Sequence, residues 1–166
     1  LLIIAPRHPG RGPEVAGLAA EAGCAVSRRG AGDAPCMEDD VYVADTLGEM
    51  GLWLRLADAV FMGGSLVPGI GGHNPLEPAL LRAPIVVGPQ TFNFEAIYAQ
   101  LIAANGAGLV HNASELAEEI RILVFEDASA RVEAAEAAVG RGGDVLESVM
   151  GRLGPLLPDA RDARSA

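Results

Sequence analysis

A chain of 166 residues with net charge −10 repels nucleic acid over most of its surface. Its twelve basic residues are all arginine, so it has neither a Walker A phosphate loop, which needs Gly-Lys-Ser/Thr, nor a Schiff-base lysine. Half of it is hydrophobic and 20% is charged, as in a globular chain, and no apolar run approaches the roughly 18 residues that span a bilayer. Short β-type runs at 1–5, 24–27, 40–44, 59–62, 84–87 and 108–110 are interleaved with helical periodicity at 13–22, 49–57, 75–82, 95–104 and 115–126. This order predicts an α/β, Rossmann-like three-layer domain with a parallel six-stranded sheet. After Asp127 the pattern is helical and broken by glycines, which predicts two helices with a hinge. Residues 1–154 are expected to form one domain, with 155–166 as a flexible tail. Cys24 and Cys36 stand in no metal-ligand spacing, so no metal site is expected and a cytoplasmic, reducing compartment is favoured. The chain opens on LLIIAPRHPG with no initiator Met and no signal-peptide flank, and is expected to be a fragment of a longer protein.

In an open parallel sheet, ligands bind beyond the carboxyl ends of the strands, so the strand-to-helix loops carry the candidates. They read PRHPGRG, DTLGEM, GGSLVPGIGGHNPLEP and GPQTFNF, and are expected to converge at one edge. The third holds five glycines between Gly63 and Gly72, more than one turn requires. Asn74 suits a helix N-cap, Pro75 the first helical position and Glu77 the third. Amides at Gly71, Gly72, His73, Leu76 and Glu77 would then face an anion such as a phosphate, at the positive end of the helix. Glu77 has two readings, as a ligand-binding carboxylate or as the reciprocal half of a capping box. Arg7, between prolines at a strand end, suits an anion, whereas His8 is a weaker candidate. His73 reads as a loop histidine and His111 as a surface residue before the next helix cap.

GGSLV, GGHNPLEPA and TFNF, with PRHP upstream and ADTLGEMGLW between, resemble the C-terminal half of 3-deoxy-D-manno-octulosonic acid (Kdo) transferases, over about Ile3 to Leu123. The resemblance implies a GT-B glycosyltransferase in lipopolysaccharide biosynthesis, of which this part binds the donor CMP-Kdo. It assigns Arg7 to the phosphate or Kdo carboxylate, with His8 on the same wall. Leu47, Gly48 and Met50 would form a backbone shelf for cytosine. Gly64 and Ser65, with Asn74 and Leu76 from the helix start, would cradle phosphate and sugar, and Glu77 would accept the ribose hydroxyls. It further implies that the catalytic base and the lipid A precursor site belong to an N-terminal domain absent here. No catalytic residue, cofactor, metal or direct membrane insertion is therefore expected of this stretch, and the parent enzyme would sit at the cytoplasmic face of the bacterial inner membrane. The sequence departs from the family at Gln90, where histidine is usual, at Gly10 and Gly12, and at Pro68 to Ile70. Another GT-B donor domain, for a UDP-sugar or an epimerase, and a non-catalytic nucleotide-binding module are the alternatives. A dinucleotide oxidoreductase is not, because GxGxxG is missing after the first strand.

Overall fold

A computed structural model describes residues 1–140 and 150–153, so two of the three predicted hinge glycines, Gly142 and Gly143, and the 155–166 tail lie outside the described residues. The chain divides into two compact units, Leu1–Leu56 and Ala57–Ala166. Every predicted strand and every predicted helix up to Asp127 is present, with ends displaced by a few residues. The six parallel strands fall into two three-stranded sheets, one in each unit.

In the first unit, β1 (Leu2–Ile4) and β2 (Val26–Arg28) flank β3 (Val41–Val43), with Leu2 and Val26 both in register with Val41. β3 takes the centre because its VYV run is apolar on both faces, as a strand covered on both sides must be. Helix α1 (Gly12–Glu21) follows β1 and α2 (Met50–Leu56) follows β3. Tyr42 packs on Trp53 with ring centroids 5.6 Å apart and planes at 55°. The crossover from β2 to β3 has no α-helix, only a 3₁₀ turn at Arg29–Ala31, and is held by carboxylates instead. Asp39 accepts from Ser27 Oγ (2.6 Å) and the Cys36 amide (2.8 Å), and these bonds lower its pKa below the usual aspartate value. Asp40 accepts from the Ala25 amide (2.8 Å) and Asp33 from the Arg28 amide (3.1 Å).

In the second unit, β5 (Ile85–Val87) lies between β4 (Val60–Phe61) and β6 (Ala107–Leu109). Its alternating side chains define two apolar layers. Ile85 and Val87 pack with Ala79 of α3 (Leu76–Leu80), Tyr98 and Leu101 of α4 (Glu95–Ala103) and Ala135 of α6 (Ser129–Val139). Val86 packs the other way, with Val110, Leu123 and Ile120, the last two on α5 (Ala113–Phe125). The cap expected before α5 is present: Asn112 Oδ1 accepts from the Glu115 amide (2.9 Å) and Asn112 Nδ2 donates to Glu115 Oε1 (2.7 Å). His111 joins it, as its backbone amide donates to Glu115 Oε2 (2.8 Å). Among the described residues no helix is long and apolar enough to cross a membrane.

Candidate functional site

β1 and β3 are parallel neighbours, so the loops that leave them for α1 and α2 emerge at the same sheet edge. Arg7 and His8 are exposed on the first loop, and neither side chain forms a hydrogen bond or ion pair among the described residues. On the second loop Leu47 is 82% exposed, Gly48 has φ +85°, and Met50 begins α2. The backbone of Leu47 and Gly48 makes no hydrogen bond to protein among the described residues, so its donors and acceptors are open.

Two arginines from the β2 end brace this loop at both of its ends. Arg28 Nη1 donates to Asp45 Oδ2 (3.0 Å), and the Gly30 amide to Asp45 Oδ1 (2.6 Å). The Asp45 side chain is only 3% exposed. Arg29 takes Glu49 with Nε at 3.1 Å and Nη2 at 2.6 Å, and Thr46 Oγ1 donates to the same carboxylate. These partners, Arg29 first, hold the Glu49 pKa below the usual glutamate range. Sequence reading passed over Asp45, Arg28 and Arg29, because their partnership spans strands and leaves no local motif.

In the second unit the loops after β4 and β5 also share an edge, and here they touch. Ser65 is fully buried. Its Oγ donates to the Met62 carbonyl (2.6 Å) and accepts from the Gly88 amide (2.8 Å). The Ser65 hydroxyl thus joins the two loops. Gln90 contributes through its backbone amide, which donates to the Ser65 carbonyl (2.8 Å), a bond that any residue except proline could make.

Gly64, Gly71 and Gly72 have φ of +75°, +84° and +74°. A Cβ on Gly64 would lie 2.4 Å from Ile70 Cγ2, and one on Gly71 would lie 2.5 Å from the Phe92 ring, so glycine is needed at both on steric and backbone grounds. Four carbonyls in a row are engaged from the β5–α4 segment. Asn93 Nδ2 donates to Ile70 O (2.7 Å) and Gly72 O (3.2 Å), the Asn93 amide to Gly71 O (3.2 Å), and Tyr98 Oη to His73 O (2.5 Å). Burial pushes the Tyr98 phenol up to about 12. His73 Nδ1 lies 2.6 Å from the Gly63 carbonyl, an acceptor only, so Nδ1 carries a proton and donates it.

Helix α3 is shorter than predicted, five residues rather than the stretch 75–82. Arg82 takes φ +61°, which stops the helix short of the predicted end. Asn74 Oδ1 accepts from the Leu76 amide (3.1 Å), so the predicted capping side chain is in use and that amide is occupied. The amides of Gly71, Gly72, His73, Asn74 and Glu77 donate to no protein group among the described residues. Glu77 is exposed and its carboxylate accepts no hydrogen bond among them, so the reciprocal half of a capping box is not made. Loop amides, rather than the dipole of a long helix, are what this segment offers an anion.

No family model matches the chain. It is 37% identical over 118 residues to the 3-deoxy-D-manno-octulosonic acid transferase of Haemophilus influenzae, covering 71% of this chain and 27% of that protein. The protein of the same name from Bordetella pertussis is 37% identical over 161 residues, covering 91% of this chain and 37% of the relative. The chain thus spans between about a quarter and two fifths of the length of these relatives. Among solved structures, the C-terminal CMP-Kdo binding domain of WaaA from Acinetobacter baumannii is similar with a TM-score of 0.71 and 36% identity, over 87% of this chain and 72% of that one.

Proposed function

Because this chain belongs to the 3-deoxy-D-manno-octulosonic acid transferase family, in its C-terminal part, we propose that it binds the sugar donor CMP-Kdo for such an enzyme. The observation that carries this reading is the run of four uncommitted amides at 71–74 close before an uncommitted Glu77. A phosphate suits the amides, and the vicinal hydroxyls of a ribose suit a carboxylate that only accepts. As Kdo leaves its nucleotide, negative charge grows on the departing phosphate, and fixed amides stabilise that charge without reorganising. In the first unit, the open backbone of Leu47 and Gly48 offers the donors and acceptors that a cytosine edge needs. Arg7, whose side chain has no protein partner among the described residues, offers the first unit a cation for an anionic group of the donor. On this reading the lipid A precursor and the general base are met by the part of the enzyme outside this chain, at the cytoplasmic face of the bacterial inner membrane.

Calorimetric titration of the protein with CMP, UMP and NAD tests the proposal. CMP should bind best, and equal or absent binding of CMP would reject it. Arg7→Ala should weaken CMP by about 1–2 kcal/mol through loss of a charge-assisted contact. Glu77→Gln should weaken CMP by about 1 kcal/mol with Tm unchanged, since an amide cannot accept from both ribose hydroxyls. 2′,3′-Dideoxy-CMP should bind both proteins alike, and a Glu77→Gln protein that discriminates between the two nucleotides as well as wild type would return Glu77 to the surface.

A further inference from the structure

We propose that Asn93 and Tyr98 are positioning residues that aim the peptide units of the glycine loop, and so create the anion-binding face of the donor site. The inference rests on the donor-binding reading. It starts from peptide geometry: in a planar trans peptide the C=O of one residue and the N–H of the next point in opposite directions. The carbonyls of Ile70, Gly71, Gly72 and His73 are drawn toward α4 and the segment before it, three by Asn93 and one by Tyr98. The N–H groups of the same four peptide units belong to Gly71, Gly72, His73 and Asn74. They are therefore turned away from Asn93 and Tyr98, and they donate to no protein group among the described residues. Gly71 and Gly72 are buried, His73 is half-buried and Asn74 is exposed, and successive N–H groups turned one way suit an anion.

Without these donors the orientation has little to hold it. Gly71 and Gly72 both have positive φ and carry no side chain that could fix a rotamer. Asn93 is suited to the task because one residue uses both its side-chain N–H groups and its backbone N–H, engaging three consecutive carbonyls. Tyr98 is rigidly placed: it is fully buried, and its hydroxyl has one partner, the carbonyl of the residue that follows the glycines. The second loop thus acts on a ligand it need not touch, by setting the direction of groups on the first.

The test uses inorganic phosphate and nucleotides on wild type, Asn93→Ala and Tyr98→Phe. None of these substitutions adds a charge, and Asn93 is exposed, so loss of fold does not dominate. In wild type, phosphate should shift the NMR amide signals of Gly71, Gly72, His73 and Asn74 together. Each variant should weaken that binding about fivefold and narrow the preference for CMP over cytidine by a similar factor, while cytidine itself binds as before. A purely structural role would weaken CMP and cytidine equally, and would overturn the proposal. So would wild-type amides that ignore phosphate, or variants that respond to it as wild type does. Loss of the donor reading has a different signature, in which phosphate still moves the four amides but CMP is not preferred to UMP.

Discussion

Arg28→Ala should lower folding stability by about 3 kcal/mol, although Arg28 belongs to no recognised motif. The reason is Asp45. Its side chain is 3% exposed, and it faces two glycines, at which a Cβ would lie 1.8 Å (Gly12) and 2.8 Å (Gly30) from the carboxylate oxygens. A carboxylate so enclosed has two charge-stabilising partners, the Arg28 guanidinium and the Gly30 amide. Removing one partner of a buried pair typically costs about 3–5 kcal/mol, because the other charge is left uncompensated. The low end applies here, since the Arg28 side chain is 27% exposed and the Gly30 amide remains. Urea unfolding followed by circular dichroism measures the loss, and a change under about 0.5 kcal/mol would mean that Asp45 is satisfied without Arg28. Asp45→Asn in the Arg28→Ala background should recover part of the loss, because it removes the stranded charge. The same substitution should loosen the 45–50 loop, and with it any discrimination between CMP and UMP.

Gly88→Ala should be comparably severe, near 3 kcal/mol, for a purely steric reason. A Cβ there would meet the Ser65 carbonyl oxygen at 2.3 Å and carbon at 2.6 Å, and the Leu66 nitrogen at 2.8 Å. These are backbone atoms and cannot rotate aside. The loop they belong to is fixed at this spot by the bond from the Gly88 amide to Ser65 Oγ and the bond from the Gln90 amide to Ser65 O. An added methyl group would lift the glycine loop off the end of β5. Gly23→Ala is the informative comparison: φ is +89° there but nothing lies within 4 Å of the added carbon, so only the backbone penalty of about 1–2 kcal/mol applies. A Gly88→Ala protein that melts above Gly23→Ala in calorimetry would show that the two loops can part at little cost. CMP affinity should fall with Gly88→Ala and be unaffected by Gly23→Ala.

The elements were legible in the sequence because their signals are local. The VYV and IVV runs declare strands, and Asn112 declares the cap of the helix that follows it. Asn74 was readable for the same reason. The division of six strands into two sheets was not, since strand periodicity says which face is buried and nothing about which neighbour is paired. The length of α3 was overestimated because an apolar run does not show that Arg82 takes φ +61°, which no helix continues. The resemblance put Ser65 in the phosphate cradle without saying which of its atoms matters, and its buried hydroxyl is bonded to the backbone of Met62 and Gly88. Asn93 stood in plain view within TFNF. Its importance lies in carbonyls about twenty residues away, at Ile70 to Gly72, and no spacing rule connects them.

Trp53 is the single tryptophan of the chain, and it sits in the first unit against Tyr42. Its emission is therefore a built-in optical reporter of that unit alone, whereas backbone dichroism sees helices of both. Overlaying the two signals along one denaturation curve shows whether Leu1–Leu56 and the remainder melt as one cooperative body or as two. Coincident curves would make the chain a single thermodynamic domain. Separated curves would mean that a ligand held by only one unit protects that unit and leaves the other to unfold on its own schedule.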